Sequence, residues 1–130
     1  MKTYVTVEKD FAAAHFLNNN NYSKEENASM YGKCNFLHGH NYKLFVTVEG
    51  DIKESGMIIN FKELKGIIEE TIIETFDHSF LNDKMDLVPT AENMGLIFWD
   101  ILKIHINKDG NKLHKIKIYE NDRSCFTMCE

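Results

Sequence analysis

The sequence lacks any uninterrupted apolar run long enough to cross a bilayer, and its opening, MKTYVTVEKDF, alternates polar and apolar residues instead of forming a signal-peptide core. A cytoplasmic chain with no membrane association is therefore expected. Basic residues are in deficit, 15 Lys and Arg against 20 Asp and Glu, for a net charge of -5. That balance argues against a broad nucleic-acid or anionic-membrane surface, yet permits a locally held anionic small molecule. Cysteine is scarce and odd in number: Cys34, Cys125 and Cys129 read as reduced thiols, not as a disulfide framework. No internal repeat occurs, and proline appears once, at Pro89. What is present, 130 residues that are 43% hydrophobic and 27% charged, suits one globular domain over 1–130.

From Lys2 to about Phe11, Thr3, Val5 and Val7 alternate with Tyr4, Thr6 and Glu8, the period-two pattern of a strand running toward His15. Residues 18–33, polar and opening with four consecutive asparagines, read as an exposed loop. A second strand follows in HNYKLFVTVEG, with Tyr42, Leu44, Val46 and Val48 on one face and a turn at Gly50-Asp51. Asn60 precedes Glu63 in a capping-box-like spacing, and Phe61, Leu64, Ile67, Ile68 and Ile72 recur at helical spacing, predicting about four turns. Thr90 is the predicted N-cap of a second helix carrying Met94, Ile97, Phe98, Ile101 and Leu102. KLHKIKIYE and RSCFTMCE then predict a closing hairpin. The expectation is an α+β domain in which a four-stranded antiparallel sheet has two helices inserted between strands 2 and 3, in the order β-β-α-α-β-β.

The stretch Cys34-Asn-Phe-Leu-His38-Gly-His40 carries the clearest chemistry. Histidines two apart on an extended backbone point to one face and can share an ion. His15, at the end of the preceding strand, completes a three-histidine set if the strands pair, leaving a fourth position open as catalytic zinc requires. Alone, an H-x-H triplet arises by chance in many proteins. Glu120 shares a strand face with Ile116 and Ile118, so a half-buried carboxylate is expected there, able to accept two hydrogen bonds. Glu92 is read as a helix N-terminal carboxylate favoured by the dipole. Cys125 and Cys129 are read as buried small hydrophobes, and His105 and His114 as surface or rim residues.

Taken with FAAAH15, CNFLHGHNY42, INFKEL64, DHSFLN82, PTAEN93 and the late Glu120, the order of these segments resembles the 6-pyruvoyl-tetrahydropterin synthase family along nearly the whole chain. The resemblance implies a tunnelling fold, a homohexamer built as a dimer of trimers, and active sites at subunit interfaces. It implies Zn2+ on His15, His38 and His40, and Cys34 as catalytic nucleophile or proton-transfer thiol with Asp77 and His78 as its relay. It implies Glu120 as the pterin anchor, with Thr90 and Ala91 adding substrate contacts. A thiol becomes a useful base only where a histidine or metal favours its thiolate.

Three residues separate Cys34 from His38, the short form resembling bacterial 6-carboxytetrahydropterin synthases, whereas animal pyruvoyl synthases carry five. The implied reaction takes 7,8-dihydroneopterin triphosphate to 6-carboxy-5,6,7,8-tetrahydropterin, acetaldehyde and triphosphate, toward 7-deazaguanine nucleosides such as queuosine. The alternatives are a 6-pyruvoyl-tetrahydropterin synthase, which eliminates triphosphate without carbon–carbon cleavage, and a non-catalytic pterin or metal binder. Departures from the family pattern are the long Asn-rich loop and Asn121, where Thr or Ser is common.

Overall fold

The computed structural model describes all residues from Met1 to Glu130. Strands β1 (Tyr4–His15) and β2 (His38–Glu49) pair antiparallel over their full length, from Tyr4 opposite Glu49 to His15 opposite His38. β4 (Lys112–Asn121) adds to β2, and β5 (Ser124–Cys129) adds to β4. A two-residue β3 (Ser79–Phe80) lies parallel to β1, so the sheet has five strands in the order β3-β1-β2-β4-β5, one more than expected and not purely antiparallel. Two residues carry no hydrophobic period, and β3 exists only because β1 offers a free edge beside it.

The core lies between one sheet face and two helical segments. Alternation, shifted on β4 by a bulge opposite Thr47 and Val48, places Val7, Phe11 and Ala13 of β1, Tyr42, Leu44, Val46 and Val48 of β2, and Leu113, Ile116 and Ile118 of β4 on that face, all buried. Helix α2 (Phe61–Ile68) continues through a π turn (Glu69–Ile73) into α3 (Glu74–Phe76), close to the predicted length, and buries Leu64, Ile68, Ile72 and Phe76. Phe61 is 54% exposed although it shares the angular position of Leu64 and Ile68, because it stands in the first turn of the helix. Asn60 caps this helix through Lys62 N–H at 2.8 Å, without a reciprocal bond from Glu63. Helix α4 (Ala91–Ile106) buries Met94, Phe98, Leu102 and Ile106, each worth roughly 1.5–3 kcal/mol relative to exposure. Thr90 caps it, accepting from Asn93 N–H at 3.1 Å.

Two further readings need correction. The Asn-rich segment contains α1 (Lys24–Tyr31), begun by a capping box between Ser23 and Glu26, then a 3-10 turn (Gly32–Asn35). That helix has no apolar stripe, so hydrophobic period could not reveal it; the S-x-x-E spacing was the available signal. Cys125 and Cys129 are exposed, not buried. They stand opposite Tyr119 and Lys115 on the helix-free sheet face, while their neighbours Phe126 and Met128 take the core side.

Candidate metal centre and substrate pocket

The β1–β2 register assembles the cluster. His15 lies opposite His38 and Ala13 opposite His40, so three imidazoles converge on one face with only a methyl group beside His40. Gly39 belongs to the other face; a side chain there would meet Ala13 O at 3.2 Å, so what approaches its backbone is β1 itself. One ligand nitrogen from each of His15, His38 and His40 lies within 4.8 Å of the others.

Hydrogen bonding fixes two of the rings. His15 Nδ1 lies 2.8 Å from Pro89 O and His38 Nδ1 2.7 Å from Phe36 O. Carbonyls only accept, so both Nδ1 atoms carry the proton and both Nε2 atoms present lone pairs. Those Nε2 atoms face each other at 3.1 Å, near the roughly 3.3 Å expected at a tetrahedral zinc with bonds of about 2.0–2.1 Å. His40 Nε2 is buried without a hydrogen-bond partner. Two opposed acceptors and one orphaned nitrogen are what a divalent cation satisfies, so the residues present fit zinc. Burial holds His15 and His40 below the ordinary imidazole range, and like-charge repulsion from His38 adds to this in both. Neutral imidazoles are the ligating form.

Glu120, on β4 beside a register shift, brings Oε1 to 3.6 Å from His40 Nε2 and 3.8 Å from His15 Nε2. It also lines a cavity of about 330 Å³ with Leu17, Thr90, Ala91, Cys125 and Phe126. Thr90, Ala91 and Glu120 are therefore brought together beside the histidines. Beneath them Tyr42 is fully buried, its hydroxyl 3.5 Å from His15 Nδ1, and burial pushes the phenol well above its usual range, with the Glu120 charge adding to the shift.

Asp77 and His78 form a separate unit on the far edge of β1. Asp77 accepts from Ala12 N–H at 2.8 Å and pairs with His78 Nδ1 at 2.9 Å. These bonds, the backbone one foremost, hold its carboxyl below the usual range. His78 adopts φ 56°, sparsely populated for a residue with a side chain, and is held there by its N–H on Ala12 O at 2.6 Å. Its ring is 85% exposed, and a shallow depression it lines also reaches His40. Cys34 is exposed and its thiol makes no hydrogen bond within the chain; its carbonyl accepts from Leu17 N–H at 2.7 Å. One copy thus assembles the histidines and the pocket, but not thiol with dyad. The sequence reading placed Tyr42 on the core face, where it is, but missed the Pro89 and Phe36 carbonyls, because a backbone acceptor has no residue-type signature.

Comparisons with known proteins show the family to which this fold and sequence belong. A relative from Homo sapiens, 6-pyruvoyl tetrahydrobiopterin synthase, is 40% identical over 121 residues, covering 88% of this chain and 82% of its own. A putative 6-carboxy-5,6,7,8-tetrahydropterin synthase from Archaeoglobus fulgidus is 31% identical over 118 residues, covering 91% and 88%. The solved Caenorhabditis elegans 6-pyruvoyl tetrahydropterin synthase superposes with TM-score 0.91 at 28% identity, covering 100% of this chain and 96% of that one. The family model described as 6-pyruvoyl tetrahydropterin synthase matches residues 4–130, and the chain belongs to that family.

Proposed function

We propose that the protein is a zinc-dependent carbon–carbon lyase converting 7,8-dihydroneopterin triphosphate and one water molecule to 6-carboxy-5,6,7,8-tetrahydropterin, acetaldehyde and triphosphate, on the route to 7-deazaguanine nucleosides. The observation that carries it is the histidine cluster, with two proton-free Nε2 atoms 3.1 Å apart beside the Glu120-lined cavity. The three-residue spacing from Cys34 to His38 supports the carboxy product.

His15, His38 and His40 would hold zinc, which when bound supplies Lewis acidity to the side-chain hydroxyl oxygens of the substrate. Glu120 accepts the 2-amino and ring N–H donors of the pterin. Ala91, in the first turn of α4, has a backbone N–H without an intrahelical partner, and the Thr90 hydroxyl keeps its proton free to donate. Cys34 removes a proton beside the side-chain hydroxyls, and His78, oriented by Asp77, moves it onward. Because Cys34 and His78 do not meet within one chain, a homohexamer whose copies supply them to each other is part of this reading.

A second reading, the pyruvoyl synthase, is favoured by the human relative's 40% identity. Both routes release triphosphate, but only cleavage between carbons 1′ and 2′ yields acetaldehyde. Incubation with 7,8-dihydroneopterin triphosphate followed by mass spectrometry is expected to find acetaldehyde with the carboxy product. The pyruvoyl product without acetaldehyde would replace the first reading by the second. Bound pterin with neither product would leave a binding protein.

A further inference from the structure

His15 is the fully buried member of the cluster, and two asparagine side chains bond the backbone segments that adjoin it. Its ring is oriented by the Pro89 carbonyl, which belongs to an irregular turn with no ladder of its own. Asn93 braces that turn: Nδ2 donates to Val88 O at 2.8 Å while its backbone N–H donates to Thr90 Oγ1 at 3.1 Å. On the other side β1 ends at His15, and Phe16 has no strand partner. Asn82 supplies one, donating from Nδ2 to Phe16 O at 2.9 Å and accepting Phe16 N–H at Oδ1 at 3.1 Å. Only a carboxamide donates and accepts in this peptide-like way.

We propose that Asn82 and Asn93 are positioning residues for the metal centre, Asn82 fixing the backbone beside His15 and Asn93 fixing the carbonyl that takes its Nδ1 proton. This rests on the zinc reading above. Without the Asn93 brace the turn keeps only the Thr90 N–H on Val88 O at 2.8 Å, so the Pro89 carbonyl gains freedom to move and its hold on the Nδ1 proton weakens. A ring protonated on Nε2 presents no lone pair to an ion. Without Asn82 the segment carrying His15 loses its last two main-chain bonds on that edge. Loss of such outer partners typically costs ten- to a hundredfold in metal affinity.

The test uses isosteric Asn82→Asp and Asn93→Asp, which set a carboxylate oxygen against a carbonyl oxygen. Asn27→Asp is the control: Asn27 is buried and bonds the Asn19, Tyr22 and Ser23 carbonyls, but it organises the Asn-rich loop instead of His15. Zinc affinity is read by chelator competition, and the His15 tautomer in metal-free protein by long-range proton–nitrogen NMR. Asn82→Asp and Asn93→Asp are expected to weaken zinc on the order of tenfold, and Asn93→Asp to raise the Nε2–H tautomer of His15. Asn27→Asp is expected to lower the unfolding midpoint and spare zinc affinity. If either aspartate variant does not fold, Asn82→Ser and Asn93→Ser replace it, keeping a donor and an acceptor at shorter reach. Wild-type zinc affinity and an unchanged tautomer in the variants would overturn the proposal, as would equal zinc losses in all three. If the wild type binds no zinc the zinc reading fails by itself, and the tautomer measurement still decides whether Asn93 orients His15.

Discussion

At the scale of single residues, the histidine cluster links protonation to stability. His15 and His40 are held below the ordinary imidazole value of 6.5 in the folded state, burial being the largest cause in each. The unfolded chain therefore binds more protons as pH falls through 6.5, so their contribution is present above that pH and lost below it. Urea unfolding of the metal-free protein is expected to give a lower midpoint at pH 5.5 than at pH 7.5. The difference should shrink when both residues are replaced by asparagine. Glu49 and Asp77, also held below their ordinary values, act only at lower pH and do not confound this window. An unchanged midpoint between the two pH values would contradict neutral burial of the cluster.

At the scale of elements, two helix glycines are expected to respond oppositely to alanine. A Cβ on Gly66, within α2, meets nothing within 4 Å, so Gly66→Ala should gain roughly 0.5–1 kcal/mol from helix propensity alone. A Cβ on Gly95, within α4, would stand 2.5 Å from Phe126 Cε2 and 2.9 Å from its Cδ2. Phe126 is packed against the core and lines the Glu120 cavity, so displacing it costs about 1–3 kcal/mol of overpacking and reshapes the pocket. Thermal unfolding should place Gly66→Ala above and Gly95→Ala below the wild type, with a raised KM for the pterin in the latter. Equal midpoints would mean that α4 and β5 are less closely packed than the structure shows.

At the scale of the whole molecule, the three-histidine cluster is assembled within one copy, while the Cys34 thiol makes no bond to the Asp77–His78 dyad. β5 also presents a free edge, and such an edge is commonly closed by another chain. Sedimentation is expected to give about six times the 15.1 kDa chain mass. Cys34→Ala and His78→Ala should each be nearly inactive while keeping the wild-type zinc content. Mixed and reassembled in equal amounts, they are expected to recover about a quarter of wild-type activity, because that share of interfaces pairs one intact thiol with one intact dyad. A monomer, or mixtures with no recovery, would place the thiol and the dyad in one chain after all.

The sequence by itself determined the elements that repeat a hydrophobic period: β1, β2, the α2 segment, α4 and the closing hairpin follow from alternation and helical spacing. It also determined that His38 and His40 share a face, since H-x-H on a strand must place two imidazoles on the same side. Tertiary structure decided the rest. Whether His15 joins that pair depends on the β1–β2 register, which is set by burying the apolar faces of both strands against the same helices. β3 exists only as a response to the free edge of β1. The tautomers of His15 and His38 are chosen by the carbonyls of Pro89 and Phe36, groups every residue carries. Their placement is a property of the folded chain, because nothing in a backbone carbonyl's chemistry distinguishes one position in a sequence from another.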